Sequence, residues 1–342
     1  MSDVAALAGV HKATASRALN PSTSGLVNTA TARRVKMAAE QLGFTPNSAA
    51  RSLRTNRSFT VGVLLPDLTN PLFPPVARGI EEVLNARGYT ALLANTDNDE
   101  AKERTQFNAL LGRQVDGFIV ATAQREHPLL NEASESGVPI VLVNRCTDRR
   151  LFPWVSGDDA TGMTLAVEHL LGLGHRAIAH LAGPQTMSTG VTRARAFRDA
   201  VETAGIGPEA PVAVSKAYTT QAGEHATHEL LERHPDTTAI CAGNDLIALG
   251  ALHALKARGL RCPQDLSLVG FNDMQFADEF QPPLTTVHVP HLGLGAEAAR
   301  LLLERLDRYE EKGHPAPMAK TVLLPVRLVV RASTAAPPPH RA

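Results

Sequence analysis

The sequence holds few of the residues from which reactive centres are built. Its three cysteines, Cys146, Cys241 and Cys262, are scattered and unpaired by spacing, which excludes a disulfide framework or a cysteine metal motif and fits a reducing compartment. The thirteen histidines are equally dispersed. His225 and His228 share a helix face, but no third ligand stands near them, so they read as surface side chains and no metal is expected. There is no phosphate loop and no nucleophile–base pairing at interpretable spacing, so neither an enzyme nor a cofactor is expected. Gly172-Leu173-Gly174-His175 is not a dinucleotide fingerprint, because it ends a helix and precedes a strand; it reads as a helix C-cap. No stretch of ~18 apolar residues is present, and Met1-Ser2-Asp3 lacks the regions of a secretion signal. A cytoplasmic protein with no membrane attachment is the expectation.

Net charge is also missing, with 34 basic against 34 acidic residues. The distribution says more than the sum. Residues 1–58 carry eight Lys or Arg against Asp3 and Glu40, a net of +6 that the remainder must balance with −6. A basic front on an acidic body suits a nucleic-acid reader attached to something else. With 342 residues, 44% of them hydrophobic, the chain has room for two or three packed units.

The front is organised around Val10-His11-Lys12-Ala13-Thr14-Ala15-Ser16-Arg17-Ala18-Leu19. Before it, Asp3 to Ala8 reads as a short helix with Val4, Leu7 and Ala8 on one face and Gly9 at its end, where a left-handed residue costs no Cβ clash. The chain turns at once into a second helix with apolar Ala15, Ala18 and Leu19 at i, i+3 and i+4. Its outer face is Lys12, Thr14, Ser16 and Arg17, with small Ala13 and Ala15 permitting close approach, and a major groove admits such a helix. A third helix follows from Thr29, with Asn28 as N-cap and Gly43 past its end. Residues 47–58, Asn47 to Ser58, are too polar to bury and too short for a stable lone helix. They are expected to fold only when held by DNA or by a second copy.

From Thr60 the pattern becomes apolar runs alternating with amphipathic stretches. Strands are expected at 61–65, 90–94, 117–121 and 139–143, with helices near 74–87, 100–113 and 127–136 between them. A second series runs helix 160–172, strand 177–182, helix 190–204, strand 212–214, helix 221–233, strand 238–242, helix 245–258 and strand 266–270. Continuous apolar strands imply burial on both faces, hence parallel sheets flanked by helices. Two such series predict two doubly wound lobes with a ligand cleft at the carboxyl ends of the strands. Strand 285–289, helix 292–311 and strands at 322–324 and 327–330 are read as the chain crossing back between lobes. The proline-rich tail, 335–342, is expected to be disordered.

Asp3-Val4-Ala5, Thr14-Ala15-Ser16-Arg17-Ala18-Leu19-Asn20, Leu42-Gly43-Phe44-Thr45-Pro46-Asn47 and Ala50-Arg51-Ser52-Leu53 together resemble the DNA-binding headpiece and hinge of the lactose-repressor (LacI-type) family. The resemblance continues in order through Pro66 to Phe73, Gly117-Phe118-Ile119, Gly243-Asn244-Asp245, Val269 to Asp273, Pro283 to Thr286 and Leu328 to Thr334. It implies a helix-turn-helix headpiece at 1–46, a hinge helix at 47–58 and a body at 59–334 with two lobes of periplasmic-binding-protein type. The first lobe would span about 59–157 and 290–321, the second about 158–289 and 322–334, with crossovers near 157–161, 287–291 and 321–326.

What the resemblance implies for function is a dimeric repressor bound to double-stranded operator DNA and controlled by a small-molecule effector. DNA contacts would come from Lys12, Ala13, Thr14, Ser16 and Arg17 in the headpiece, and from Asn47, Ala50, Leu53 and Arg54 in the hinge, Leu53 as an apolar minor-groove wedge. The effector would meet Leu72, Phe73, Asn144, Arg145, Thr189, Arg193, Tyr218, Asp245 and Asp273. Polar forks, carboxylates and one aromatic plate are the kit for a sugar or sugar acid. Met187 stands where purine-binding relatives carry a basic side chain, which counts against a nucleobase. Three departures stand out: few residues precede Asp3, so Ser2 would have to cap the first helix; His11 replaces a common capping Ser; and the loop Asn20 to Val27 is longer than usual. No leucine heptads support a dimer of dimers. The rival reading, a solute-binding protein of the same lobe fold, predicts a secretion signal and no basic headpiece. A cleft enzyme is the remaining alternative.

Overall fold

The computed structural model describes residues 1–19, 23–44, 57–206, 210–312 and 320–339, with residues 309–312 as backbone alone. They form two compact units, Met1–Ser58 and Phe59–Ala342.

The first unit contains α1 (Ser2–Leu7), α2 (Lys12–Leu19), a single 3-10 turn (Ser24–Leu26) and α3 (Thr29–Gln41). Gly9 turns the chain between α1 and α2 with φ +63°, a conformation in which a Cβ would be strained. Asn28 Oδ1 accepts the Ala30 N–H at 2.9 Å and so starts α3. His11 does the work of the expected serine: its Nδ1 accepts the Ala13 N–H at 3.3 Å. Ser2 does not cap α1, since the capping position falls on Met1 and no side chain bonds there. The core is Val4, Ala5, Ala8, Ala15, Ala18, Val35, Ala38 and Ala39. The sequence placed Leu7 in that core. It is 49% exposed, and Ala5 points inward instead, so the inward face of α1 is Val4, Ala5 and, just past its end, Ala8.

The second unit is two lobes, each built on a six-stranded sheet. In the first lobe, β1 (Thr60–Leu65), β2 (Thr90–Asn95), β3 (Gly117–Val120), β4 (Ile140–Val143) and β5 (Trp154–Gly157) alternate with α4 (Phe73–Ala86), α5 (Glu100–Gly112) and α6 (Pro128–Glu135). The second lobe begins with α7 (Asp159–Gly172) and continues through β6 (Ile178–Ala182), α8 (Ser188–Thr203), β7 (Val212–Val214), α9 (Thr220–Arg233), β8 (Ala239–Ala242), α10 (Asp245–Ala257), β9 (Ser267–Asn272) and β10 (Thr285–His288). The chain then returns through α11 (His291–Lys312), β11 (Thr321–Leu324) and β12 (Arg327–Val329).

The strand orders are β11-β5-β4-β3-β1-β2 and β12-β10-β9-β8-β6-β7. All pairs are parallel except β12 with β10. Central strands are buried on both faces, which is why they read as unbroken apolar runs. One lobe boundary is corrected: residues 322–324 were assigned to the second lobe, but Val322 to Leu324 pair with Val155 to Gly157 in the first. The chain crosses back only between Leu324 and Arg327. Strand β5 was not expected, because Trp154-Val155-Ser156-Gly157 is too short and mixed to show a period.

The start of the tail is also corrected. The Ala335 N–H donates to Ser267 Oγ at 3.0 Å and the Ala335 carbonyl accepts from His175 Nε2 at 2.8 Å. Just before it, Ser333 Oγ donates to the Leu268 carbonyl at 2.6 Å and accepts the Thr285 N–H at 2.8 Å. Side-chain partners on β9, β10 and the segment before β6 override the disorder that proline content suggests.

Helices α4 and α11 meet backbone to backbone. A Cβ on Gly79 would lie 2.0 Å from the Leu292 carbonyl oxygen, and one on Gly295 would lie 1.9 Å from the Val76 carbonyl oxygen. Neither helix can yield without moving a sheet. Gly295→Val is therefore expected to lower unfolding free energy by about 3 kcal/mol or more, read from denaturant midpoints, whereas Gly172→Ala, where nothing stands within 4 Å, should change it little.

Candidate functional site

On the headpiece, α2 presents Lys12, Ala13 and Arg17 exposed and Thr14 and Ser16 half-buried, with Ala15 and Ala18 turned into the core. The face expected to meet DNA is thus the face the three-helix core leaves free. The hinge positions Asn47, Ala50, Leu53 and Arg54 lie outside the described residues.

Between the lobes, at the carboxyl ends of the strands, lies a cavity with about 270 Å³ of empty space, its mouth included. It is lined by Asn70, Leu72, Phe73, Asn144, Arg145, Thr189, Arg193, Tyr218, Asn244 and Asn272. Seven of the nine expected effector residues are in that lining: Leu72, Phe73, Asn144, Arg145, Thr189, Arg193 and Tyr218. The loop after β1 carries Leu72 and Phe73 into α4, and the end of β4 delivers Asn144 and Arg145. Asn144 has φ +67° and Asn272 has φ +114°, conformations that cost about 1–3 kcal/mol and concentrate at working sites.

Arg193 is 3% exposed and held on three sides. Its Nε and Nη2 donate to Asp159 Oδ1 at 3.0 and 2.7 Å, its Nη1 donates to the Gly243 carbonyl at 2.6 Å, and its guanidinium carbon stands 3.7 Å from the centre of the Phe271 ring. Tyr218 bonds Thr189 through their hydroxyls at 3.0 Å, and its ring lies so close to Gly183 that a Cβ there would sit 2.3 Å from it. Burial pushes the Tyr218 hydroxyl above its ordinary range, so it enters any hydrogen bond as a neutral phenol. Among the described residues, two buried polar atoms at this site have no partner: Arg145 Nε and Asn272 Oδ1. The lobes also touch across the mouth, where Arg125 N–H donates to the Thr186 carbonyl at 2.9 Å and Cys146 N–H to Ser188 Oγ at 3.0 Å.

Two expected residues are absent from the lining and are corrected. Asp245 Oδ1 accepts the Thr286 hydroxyl at 2.6 Å and Oδ2 accepts the Met274 N–H at 2.7 Å, so this carboxyl ties the second lobe together internally. Asp273 is taken by Arg331 Nη2 at 2.7 Å and His288 Nδ1 at 2.9 Å. In both cases the preceding asparagine lines the cavity instead. Asn244 spends Oδ1 on capping α10 at the Ile247 N–H, 2.9 Å away, which leaves its NH₂ end available. Asn70, also missed, spends its Oδ1 on the Leu72 N–H at 3.1 Å. The signal in the sequence is an asparagine at or after the end of each of three strands, Asn70, Asn244 and Asn272, the last two directly before an aspartate. A second groove runs along α10 at Leu249, Leu252 and Lys256 and on to Arg261 and Gln281, and it contains none of the expected effector residues.

A helix-turn-helix unit joined to a two-lobed body that encloses a polar cleft defines a DNA-binding regulator of the ligand-holding kind. Residues 1–47 match the bacterial regulatory proteins of the lacI family, and residues 167–334 match a periplasmic binding protein-like domain. The chain is 35% identical over 339 residues to the ribose operon repressor of Halalkalibacterium halodurans, covering 97% of this chain and 96% of that one. It is 36% identical over 310 residues to the HTH-type transcriptional regulator CelR of Thermobifida fusca, covering 89% and 90%. Among solved structures it resembles the lac repressor dimer bound to operator and the anti-inducer ONPF, with a TM-score of 0.81, 27% identity and 98% of each chain covered. A CelR–cellobiose complex gives a TM-score of 0.73 at 33% identity, covering 97% of this chain and 98% of that one. The chain belongs to the lacI family of bacterial regulatory proteins.

Burial pushes the Asp245 carboxyl up to about 7, against the Thr286 hydroxyl and Met274 N–H, which favour its charged form. An unfolded aspartate titrates near about 4. The stability owed to the neutral carboxyl is thus complete below about pH 4 and is lost as the pH rises through about 7. Asp245→Asn, neutral at every pH, should flatten the decline in Tm across that window in buffered thermal melts; an unaltered slope would mean that the carboxyl is ionised throughout.

Proposed function

We propose that the chain is a homodimeric transcriptional repressor whose hold on a pseudo-palindromic operator is set by a small sugar or sugar derivative between its lobes. The observation that carries this reading is the pair of buried, unpartnered polar atoms in one cavity, Arg145 Nε on the first lobe and Asn272 Oδ1 on the second. Each costs about 1–3 kcal/mol while unsatisfied. A ligand with several hydroxyls, donor and acceptor at once, satisfies both and draws the lobes together. The CelR structure holds cellobiose and another relative holds ribose, which supports the sugar class. The relatives matched over most of the chain are transcriptional regulators, which favours this reading over a cleft enzyme.

The response follows from linkage. Ligand favours one lobe orientation, and that orientation shifts the spacing of the two hinge segments of the dimer. Arg17 and Lys12 read base edges, and Leu53 wedges into the minor groove between the two hinges. Two half-sites are needed because one short helix contacts only a few base pairs. The protein works in the cytoplasm, where its DNA is.

The test is selection of binding sites from genomic fragments with the purified chain, then release by a panel of sugars. Arg17→Ala should relax base preference at one position per half-site by about 1–3 kcal/mol, measured by competition between matched duplexes. Leu53→Ala should weaken operator binding more than tenfold while random DNA is held as before; equal loss on both would remove the wedge. Coupling must be reciprocal: a sugar that weakens operator binding by a given factor should itself bind the operator complex more weakly by that factor, in paired calorimetric titrations.

A further inference from the structure

The two arginines of the cleft are not in the same electrical state. Arg193 is neutralised by Asp159 at 2.7 Å, a pair in which both side chains are at most 7% exposed. Arg145 is 5% exposed, its Nε has no partner, and among the described residues it forms no ion pair with any carboxylate. The polar lining around it is four asparagines, a threonine, a tyrosine and Arg193, with no aspartate or glutamate. The nearest acidic influence is the buried Glu103, whose field reaches Arg145. Glu103 acts only through that field: its carboxylate accepts the Thr122 hydroxyl and faces His127 Nε2 at 3.2 Å, so it leaves the Arg145 Nε donor unsatisfied.

Burial disfavours the charged form of Arg145, yet a guanidinium does not give up its proton in a protein. Left without a directly paired carboxylate, such a buried group is destabilising. A neutral sugar supplies acceptor oxygens but no charge. A carboxylate or phosphate supplies both, in a geometry that the guanidinium fork matches.

We propose that the cleft selects an anionic effector, a monosaccharide carrying a carboxylate or a phosphate, and that Arg145 is the residue that makes the selection. This rests on the cleft being the effector site. It adds that no carboxylate of the lining pairs with Arg145, so the acidic member of a sugar series is preferred over its neutral parent. Asn144 contributes by being an amide: a carboxylate at that position would neutralise Arg145 from within and leave nothing for the ligand to do.

The test is calorimetric titration of the full-length protein with matched compounds: glucose, gluconate and glucose 6-phosphate; galactose and galacturonate; ribose and ribose 5-phosphate. In at least one series the acidic member should bind tenfold or more tightly than its parent, and the series as a whole separates carboxylate from phosphate. Arg145→Gln should reduce that preference to twofold or less, and Arg145→Lys should retain part of it. A neutral sugar binding as tightly as its acidic derivatives would overturn the proposal while leaving the cleft as a sugar site. If no compound of either kind bound, the sugar reading of the cleft would fall with it. A second measurement needs no ligand. Arg145→Met removes an uncompensated buried charge, so the Tm of the ligand-free protein should rise by about 2 °C or more; a fall would make Arg145 a structural strut and refute its role as selector.

Discussion

The buried contact between Arg193 and Asp159 is the point through which the working parts of the body are tied. Asp159 opens α7, just after the chain has crossed from the first lobe; Arg193 lies on α8; and the same guanidinium bonds the Gly243 carbonyl after β8 and covers Phe271 on β9. One side chain therefore fixes the floor of the cleft relative to the crossover. Breaking one half of such a pair leaves a bare charge in a dry place, so Arg193 cannot be a ligand contact alone. Any variant there disturbs the frame as well as the site.

At the mouth of the cleft the lobes meet through polar links, while one apolar cluster runs through both behind it. Hydrogen bonds across the mouth, from Arg125 to Thr186 and from Cys146 to Ser188, are of the kind worth about 1 kcal/mol each. Set against them are the unpartnered Arg145 and Asn272. A balance between small favourable contacts and small unmet demands is what a ligand of modest affinity can tip.

Much of this was legible beforehand, for identifiable reasons. The two short helices and their glycine turn follow from local spacing, and His11 proved an adequate cap because its ring nitrogen can accept an N–H as a serine oxygen does. The βα series was readable because strands buried on both faces leave unbroken apolar runs. What was not readable depended on which of two neighbours faces inward. Asn244 caps α10 and Asp245 opens it, while Asn272 and Asp273 turn the chain with φ +114° and +53°, so which neighbour faces the cleft is set by local turn geometry that composition does not encode. The carboxylates found internal donors, Thr286 and Arg331, from segments far along the chain. The lobe assignment of β11 and the anchoring of Ala335 failed for the same cause: both are set by partners that only the folded sheets bring near.

The return of the chain at its end has a bearing on how the protein is made. Neither sheet is complete until its last strand arrives, residues 321–324 for one and 327–329 for the other, and Ser333 then bridges β9 and β10. The headpiece needs nothing beyond its own opening residues for its core. During synthesis, which proceeds at about 5–20 residues per second, the part that reads DNA thus leaves the ribosome ready to fold roughly 280 residues before the part that governs it can close. A nascent chain passes through an interval in which the reader exists without its regulator.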